Sequence, residues 1–409
     1  MDADGFISGT RADSEDWRAQ LRNSIRAVEA LKARFPGLPD PEGIARAAER
    51  FPFSITPYYA SLVERPSFDD PIFRMSVPSP EELDDPPFLL EDPIGENRHM
   101  VTPGLVHRYP DRAMLVSTSQ CAVYCRHCTR KRITGAKRGV VSEACLDQAV
   151  AYLKAHPEVK DVLVSGGDPL VLPVPLLERV LRKIRSVPSV EVIRICSRVP
   201  VTLPMRIDDE LLATLRRYGP IWFNTHFNHP RELTPRAVAA AEAIVDAGIP
   251  LCNQSVLLRG VNDDPAVMEE LVRGLLRARI KPYYLFQCDL VRGIEHFRTP
   301  ISRGLEIMEH LRGRVSGLAI PCYAFDVPGG EGKVPLLPEY VVSRSETHTV
   351  LRTWKGLFFD HPEPRAGRTA APDAGSAPFA DEPYARAIVD RRSNDKTFEN
   401  WLEEPKGEV

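Results

Sequence analysis

AMLVSTSQCAVYCRHC, residues 113–128, decides how the rest of the chain is read. Its first seven residues are small, apolar and β-branched, which predicts a strand. Three cysteines follow at once, Cys121, Cys125 and Cys128, spaced Cys-x3-Cys-x2-Cys. Clustered thiolates hold zinc or an iron–sulfur cluster. Zinc wants a fourth ligand, which His127 could supply, whereas three thiolates leave one iron of a 4Fe–4S cluster open to an outside ligand. The other five cysteines, Cys145, Cys196, Cys252, Cys288 and Cys322, are widely scattered, as buried free thiols are and a disulfide framework is not.

Downstream, DVLVSG (161–166), VEVIRICS (190–197), IWFNTHF (221–227), LCNQSVLL (251–258), KPYYLFQ (281–287) and GLAIPCYAF (317–325) predict further strands. Amphipathic helices are predicted between them, over 142–156, 174–184, 208–219, 234–248, 264–279 and 302–313. Thr234 before Pro235 and Asp264 before Pro265 are start signals, and Gly248 marks an end. Such alternation means an α/β fold with a parallel sheet, closed as a barrel or open and doubly wound; pattern alone does not choose.

Residues 1–100 read as a helical, proline-punctuated extension. The segment 14–35 sets Leu21, Ile25, Val28 and Leu31 at helical spacing, and the acidic, proline-rich 66–93 suggests an extended wrap or linker. Residues 101–345 hold the repeat. Residues 346–409 are a C-terminal extension that turns Pro-, Ala- and Gly-rich past residue 360, a flexible tail with a terminal helix over 384–404. A net charge of -3 over 409 residues makes no case for nucleic acid or an acidic membrane surface. The basic residues between Arg126 and Arg138 lack the aromatic interleaving of an RNA surface. No apolar run reaches the roughly 18 residues of a membrane-spanning helix. The acidic start, MDADGFISGTRADSEDW, lacks the regions of a secretory signal and points to the cytoplasm.

In barrels of this kind reactive residues gather at the C-terminal ends of strands. Gly166, Gly167 and Asp168 follow one strand, and His226 and Asn228 another; Gln254 lies within its strand, and Asp289 and Asp326 sit just past theirs. Each has a plain alternative: a tight turn for the glycines, a satisfied core position for the histidine, a strand-end cap or a local arginine for the aspartates. Their gathering at one rim makes an active site the leading reading.

HRYPDR (107–112), CAVYCRHCTRKR (121–132), SGGDPL (165–170), THFNHP (225–230), CDL (288–290), EHFRTP (295–300) and DVPGGEGKVPLLPEYV (326–341), in that order, resemble the lysine 2,3-aminomutases over most of the chain. The cysteine spacing resembles that of the wider radical S-adenosylmethionine (SAM) enzymes. The resemblance implies a partial (β/α)6 barrel that converts L-lysine to β-lysine by 1,2-amino migration, started by a 5′-deoxyadenosyl radical. It implies a 4Fe–4S cluster on Cys121, Cys125 and Cys128, together with SAM and pyridoxal 5′-phosphate (PLP). Lys333 takes the place of the family's Schiff-base lysine, and Arg108, Tyr109 and Arg112 that of its phosphate ligands. Gly166, Gly167, Asp168, His226 and Gln254 would border SAM. Arg130 would bind the substrate carboxylate, and Asp289 and Asp326 the distal ammonium.

The chemistry agrees with that assignment. A dianion suits guanidinium forks and a hydroxyl, and paired carboxylates suit a cation while repelling a glutamate side chain. A guanidinium would suit them too, so L-arginine, like a protein-bound lysine, stays open as substrate; a non-catalytic iron–sulfur or zinc protein is the distant alternative. Glu331 stands where many relatives have glycine. No cysteine follows Cys322, so the structural zinc that clostridial relatives hold near their C-terminus is not expected. The expected partners are a low-potential donor of the flavodoxin or ferredoxin type and, in a homo-oligomer, further copies of the chain.

Overall fold

The computed structural model describes residues 15–135, 139–364 and 402–403. The N-terminal extension forms five short helices, α1 (Trp17–Arg22), α2 (Val28–Arg34), α3 (Pro41–Arg50), α4 (Pro57–Ser61) and α5 (Pro71–Ser76). The helical spacing over 14–35 is interrupted: Asn23 closes α1, and Ile25 exchanges backbone hydrogen bonds with Ile55 at 2.8 and 3.1 Å. The acidic 66–93 segment is not a linker. Asp70 caps α5 through the N–H groups of Ile72 and Phe73, and α5 buries Ile72, Phe73 and Met75 completely. Beyond it Glu82 is fully buried, accepting from Arg126 at 2.6 Å and Lys131 at 2.8 Å. Local composition reads this segment as solvated because its cationic partners lie more than forty residues away.

A hairpin of β1 (Met100–Thr102) and β2 (Leu105–Tyr109) leads into β3 (Arg112–Thr118), the short β4 (Val140–Val141) and α6 (Glu143–Ala155). Then come β5 (Asp161–Gly166), α7 (Val174–Arg185), β6 (Val192–Cys196), α8 (Val199–Thr202), α9 (Asp209–Arg217), β7 (Ile221–Thr225) and α10 (Pro235–Asp246). The repeat ends with β8 (Leu251–Leu257), α11 (Pro265–Arg277), β9 (Lys281–Gln287), α12 (Ile301–Leu311) and β10 (Cys322–Val327). Strands β3, β5, β6, β7, β8, β9 and β10 are parallel neighbours in sequence order, with no reversal, which excludes the doubly wound alternative. The result is a partial (β/α)6 barrel with β10 as an added strand. One edge continues antiparallel into β2 and β1, the other into β11 (Gly332–Pro335), and among the described residues these edges do not pair.

Helix starts follow the local signals, with Ser142, Thr234 and Asp264 each accepting a first-turn N–H. The last barrel strand differs from expectation. Gly317–Ala319 form a 3-10 turn capped by Ser316, so the strand begins at Cys322 and holds Asp326 within it. Leu31, Ile44 and Phe73 of the extension share one continuous core with Val162, Ile193, Phe223 and Leu285 of the strands. Each such fully buried side chain contributes roughly 1.5–3 kcal/mol. The extension is therefore part of the barrel's own packing.

Strands β12 (Val341–Arg344), β13 (His348–Arg352) and β14 (Phe358–Pro362) form a separate antiparallel sheet, and the boundary expected at 345 falls between its first two strands. The expected tail and its helix over 384–404 lie outside the described residues except for Leu402–Glu403. These are strand β15, paired with β4, whose open edge offers a ladder that a helix cannot use. All eight cysteines are free, with Cys145, Cys252 and Cys288 buried. Among the described residues no helix is long and apolar enough to cross a membrane.

Burial alone would push the Glu82 carboxyl up, but Arg126 and Lys131 outweigh it and hold it at about 2. A folded value below the unfolded one stabilises the protein above the usual glutamate range and is lost as pH falls through it towards 2. Glu82→Ala should therefore cost roughly 3–5 kcal/mol in denaturant unfolding at neutral pH, with less difference from wild type in acid. A loss within experimental error would show that the buried pair is dispensable.

Candidate active site

A cavity of about 600 Å³ occupies the barrel interior, and all fifteen residues to which the resemblance assigns a role line it. The cysteine loop follows β3. Its Thr118 and Gln120 carbonyls accept from the N–H groups of Gly167 and Asp168 at 2.6 and 2.7 Å, which zips the loop after β5 onto it. A Cβ on Gly167 would lie 2.2 Å from the Gln120 oxygen, so only glycine permits this approach. Asp168 lines the cavity, yet its carboxylate is used within the protein. It accepts from Leu170 N at 3.0 Å, Ser197 Oγ at 2.7 Å and Arg198 N at 2.8 Å, while burial pushes its pKa up.

Burial, and then Asp168, pushes the Cys121 thiol well up; burial raises Cys125 too, against the pull of Arg198. Arg198 Nη1 donates to Cys125 Sγ at 2.9 Å, and the Arg130 backbone N–H to Cys128 Sγ at 3.3 Å. Donors aimed at sulfur favour thiolates, the state in which cysteines bind metal. Among the described residues no three His, Cys, Asp or Glu side chains converge on a single metal ion. Three sulfurs that face one cavity without meeting at a point suit a polynuclear cluster, in which each of three irons takes one thiolate, better than tetrahedral zinc.

Across the cavity, the antiparallel register of β10 and β11 sets Lys333 opposite Asp326, and Nζ lies 2.9 Å from Oδ2. Oδ1 accepts from Arg108 Nη2 at 2.8 Å. Arg108 also donates to Tyr109 Oη at 3.0 Å, and Arg112 stacks 3.8 Å above the centre of the Tyr109 ring. Two guanidinium groups around one phenol are a donor set for a phosphate dianion. In the lysine loop Gly329, Gly330 and Gly332 take φ of 82°, 88° and 113°. Glu331 takes φ -72° and pairs with Arg98 at 3.5 Å, so its departure from glycine leaves the loop unstrained.

Asp289 lies close to Asp326; burial and then that charge push it up to about 6. Arg130 grips Glu96 at 2.7 Å. Burial would raise Glu96, but Arg130 and Arg132 outweigh it and hold the carboxyl low. His226 Nδ1 is 3.1 Å from the Gln254 carbonyl oxygen, and burial followed by Arg198 lowers its pKa to about 4, so the ring is neutral.

Arg198, Glu82 and Glu96 were not singled out from the sequence. Arg198 follows β6, so the strand-end rule covers it. Glu82 and Glu96 lie in a proline-rich segment that carries no local signal for them.

An open parallel barrel with three cysteines after its first strand defines a radical SAM enzyme, and the model of the Radical SAM superfamily matches residues 115–272. A second family model, described as Lysine-2,3-aminomutase, matches residues 308–397. The chain is 47% identical over 360 residues to the L-lysine 2,3-aminomutase of Clostridium subterminale, a match that covers 88% of this chain and 86% of that one. It is 45% identical over 350 residues to the Bacillus subtilis L-lysine 2,3-aminomutase, covering 85% and 74%. To the glutamate 2,3-aminomutase of Clostridioides difficile it is 42% identical over 352 residues, covering 86% and 83%. The chain belongs to the lysine 2,3-aminomutase family. Its members are isomerases that use a 4Fe–4S cluster, SAM and PLP, and the donor sets described above fit these groups.

Gly167→Ala should displace Gln120 and with it Cys121. After anaerobic reconstitution the variant should hold several-fold less iron than wild type, with helix content by circular dichroism unchanged. Full iron loading would show that the two loops do not depend on this contact.

Proposed function

We propose that this chain converts L-lysine to β-lysine, moving the α-amino group to the β-carbon. The observation that carries the substrate reading is the Lys333–Asp326 contact. A lysine ammonium already rests 2.9 Å from this carboxylate, with Asp289 close by. An acid pair that receives one primary ammonium suits that of the substrate, whereas a glutamate side chain would meet repulsion.

Arg130 would hold the substrate carboxylate while Glu96 anchors the guanidinium from behind. Arg108, Tyr109 and Arg112 hold the phosphate of PLP, Lys333 is its covalent anchor, and Cys121, Cys125 and Cys128 hold the cluster. The Gly166-Gly167-Asp168 loop, His226 and Gln254 border SAM. When bound, cluster and SAM supply a 5′-deoxyadenosyl radical and PLP carries the migrating nitrogen. The chain's own part is to fix lysine by both ends, so that one β-hydrogen faces the radical source, and to exclude water. Asp326 changes partner in this scheme, holding Lys333 before PLP is bound and the substrate ammonium once cofactor and lysine are in place. A flavodoxin- or ferredoxin-type donor in the cytoplasm delivers the electron, and the enzyme works as a homo-oligomer.

An anaerobic competition assay with equal L-lysine, L-arginine and L-glutamate should yield mainly β-lysine by mass spectrometry. A dominant β-arginine or β-glutamate peak would overturn the substrate assignment. Lys333→Ala should abolish the visible absorbance of the lysine–PLP imine; a retained band would place the anchor elsewhere.

Asp289 adds a pH test. Its folded value of about 6 lies above the unfolded one, so its contribution to stability falls as pH rises towards 6, and only the ionised form attracts a cation. KM for lysine should rise as pH drops below about 6, by up to roughly tenfold per unit. Asp289→Asn should have a raised KM without that slope. A slope unchanged in the variant would remove Asp289 from ammonium binding.

A further inference from the structure

We propose that Arg198 sets the reduction potential of the iron–sulfur cluster, because its guanidinium is locked against the Cys125 sulfur and favours the reduced state. This rests on the assignment of Cys125 as a cluster ligand. Arg198 follows β6, is only 8% exposed, and spends its donors on the cysteine loop, the β7–α10 connection and α4. Nη1 reaches Cys125 Sγ at 2.9 Å, Nε the His226 carbonyl at 3.1 Å, and Nη2 both Tyr59 Oη at 3.0 Å and Glu232 Oε1.

Those partners are themselves held. Tyr59 donates to Glu232 Oε1 at 2.7 Å, and Glu232 Oε2 accepts from the N–H groups of Asn228 and His229 at 2.6 and 3.1 Å. Glu232 is fully buried, so the guanidinium has no solvent-facing alternative. A purely structural tie between the N-terminal extension and the barrel would explain the Tyr59–Glu232–Arg198 contacts. It leaves the Nη1 donor to sulfur without a use.

The three sulfurs are treated differently. Cys128 receives a backbone N–H at 3.3 Å, and Cys125 a guanidinium N–H at 2.9 Å. Among the described residues Arg198 provides the one hydrogen bond from a cationic side chain to any of the three. Reduction by a low-potential donor adds one electron, and so one negative charge, to a cluster that thiolates already make anionic. A fixed cation and N–H donor on a ligand sulfur stabilise that added charge, most strongly where water is excluded.

The test is a potentiometric titration of the reconstituted full-length enzyme, followed by the EPR signal of the reduced cluster. Arg198→Gln should make reduction at least tenfold less favourable, a midpoint about 59 mV lower. Arg198→Lys should recover part of the shift. A full cluster in Arg198→Gln with an unmoved midpoint overturns the inference. Wild type that binds no 4Fe–4S cluster by iron, sulfide and EPR would instead overturn the cluster assignment.

A second measurement needs no variant. In wild-type enzyme grown with arginine labelled by 15N in its guanidinium alone, pulsed EPR should detect a weakly coupled 15N at the reduced cluster. Its absence overturns the inference even if Arg198→Gln fails to load.

Discussion

The two free edges of the barrel meet on one carboxylate. Asp326 accepts from Arg108, on the β2 edge, and from Lys333, on the β11 edge, at 2.8 and 2.9 Å. Among the described residues no ladder joins these edges, and beside the carboxylate the Gly329 N–H donates to the Pro93 carbonyl at 2.9 Å. Both Arg108 and Asp326 are largely shielded from water, where an ion pair counts for more than at the surface. Closure by side chains instead of backbone leaves the barrel wide enough to hold cofactors. It also leaves the closing groups, Arg108, Asp326 and Lys333, facing the cavity.

The same economy appears in the cysteine loop. Residues 126–132 are strongly basic, yet the loop is not a polyanion surface, because carboxylates of the N-terminal extension neutralise it from within. Glu82 takes Arg126 and Lys131, and Glu96 takes Arg130 and Arg132. A buried pair of this kind adds little net stability over a well-packed apolar contact, but removing one partner leaves an uncompensated charge. The extension therefore presses the cysteines into place as much by obligation as by apolar packing. Its proline-rich composition hides that role.

Sulfur and acid stand on walls of one cavity because their strands run parallel and open at the same end, and the antiparallel return of β11 brings Lys333 back beside them. Within it charge is divided: donors surround the cysteines, two aspartates sit near the lysine, and His226 is kept neutral between them by burial and Arg198. That division lets a radical source and a cationic side chain share a small space without competing for the same groups.

Strand and helix order, the caps at Thr234 and Asp264, and the grouping of functional residues after strands were legible in the sequence. They depend on hydrophobic period and on neighbours within a few positions. The motifs, in order, were enough to mark the family. The partners of the buried charges were not legible, because an ion pair has no sequence period. Arg108 and Asp326 lie 218 residues apart, Arg126 and Glu82 44, and Arg198 and Cys125 73. The break at Ile25 depended likewise on a contact made outside its own segment, the backbone pairing with Ile55. Chemistry and repeat were written locally; the open barrel, its ionic closure and the arginine on Cys125 were decided only when distant segments met and buried groups had to find partners.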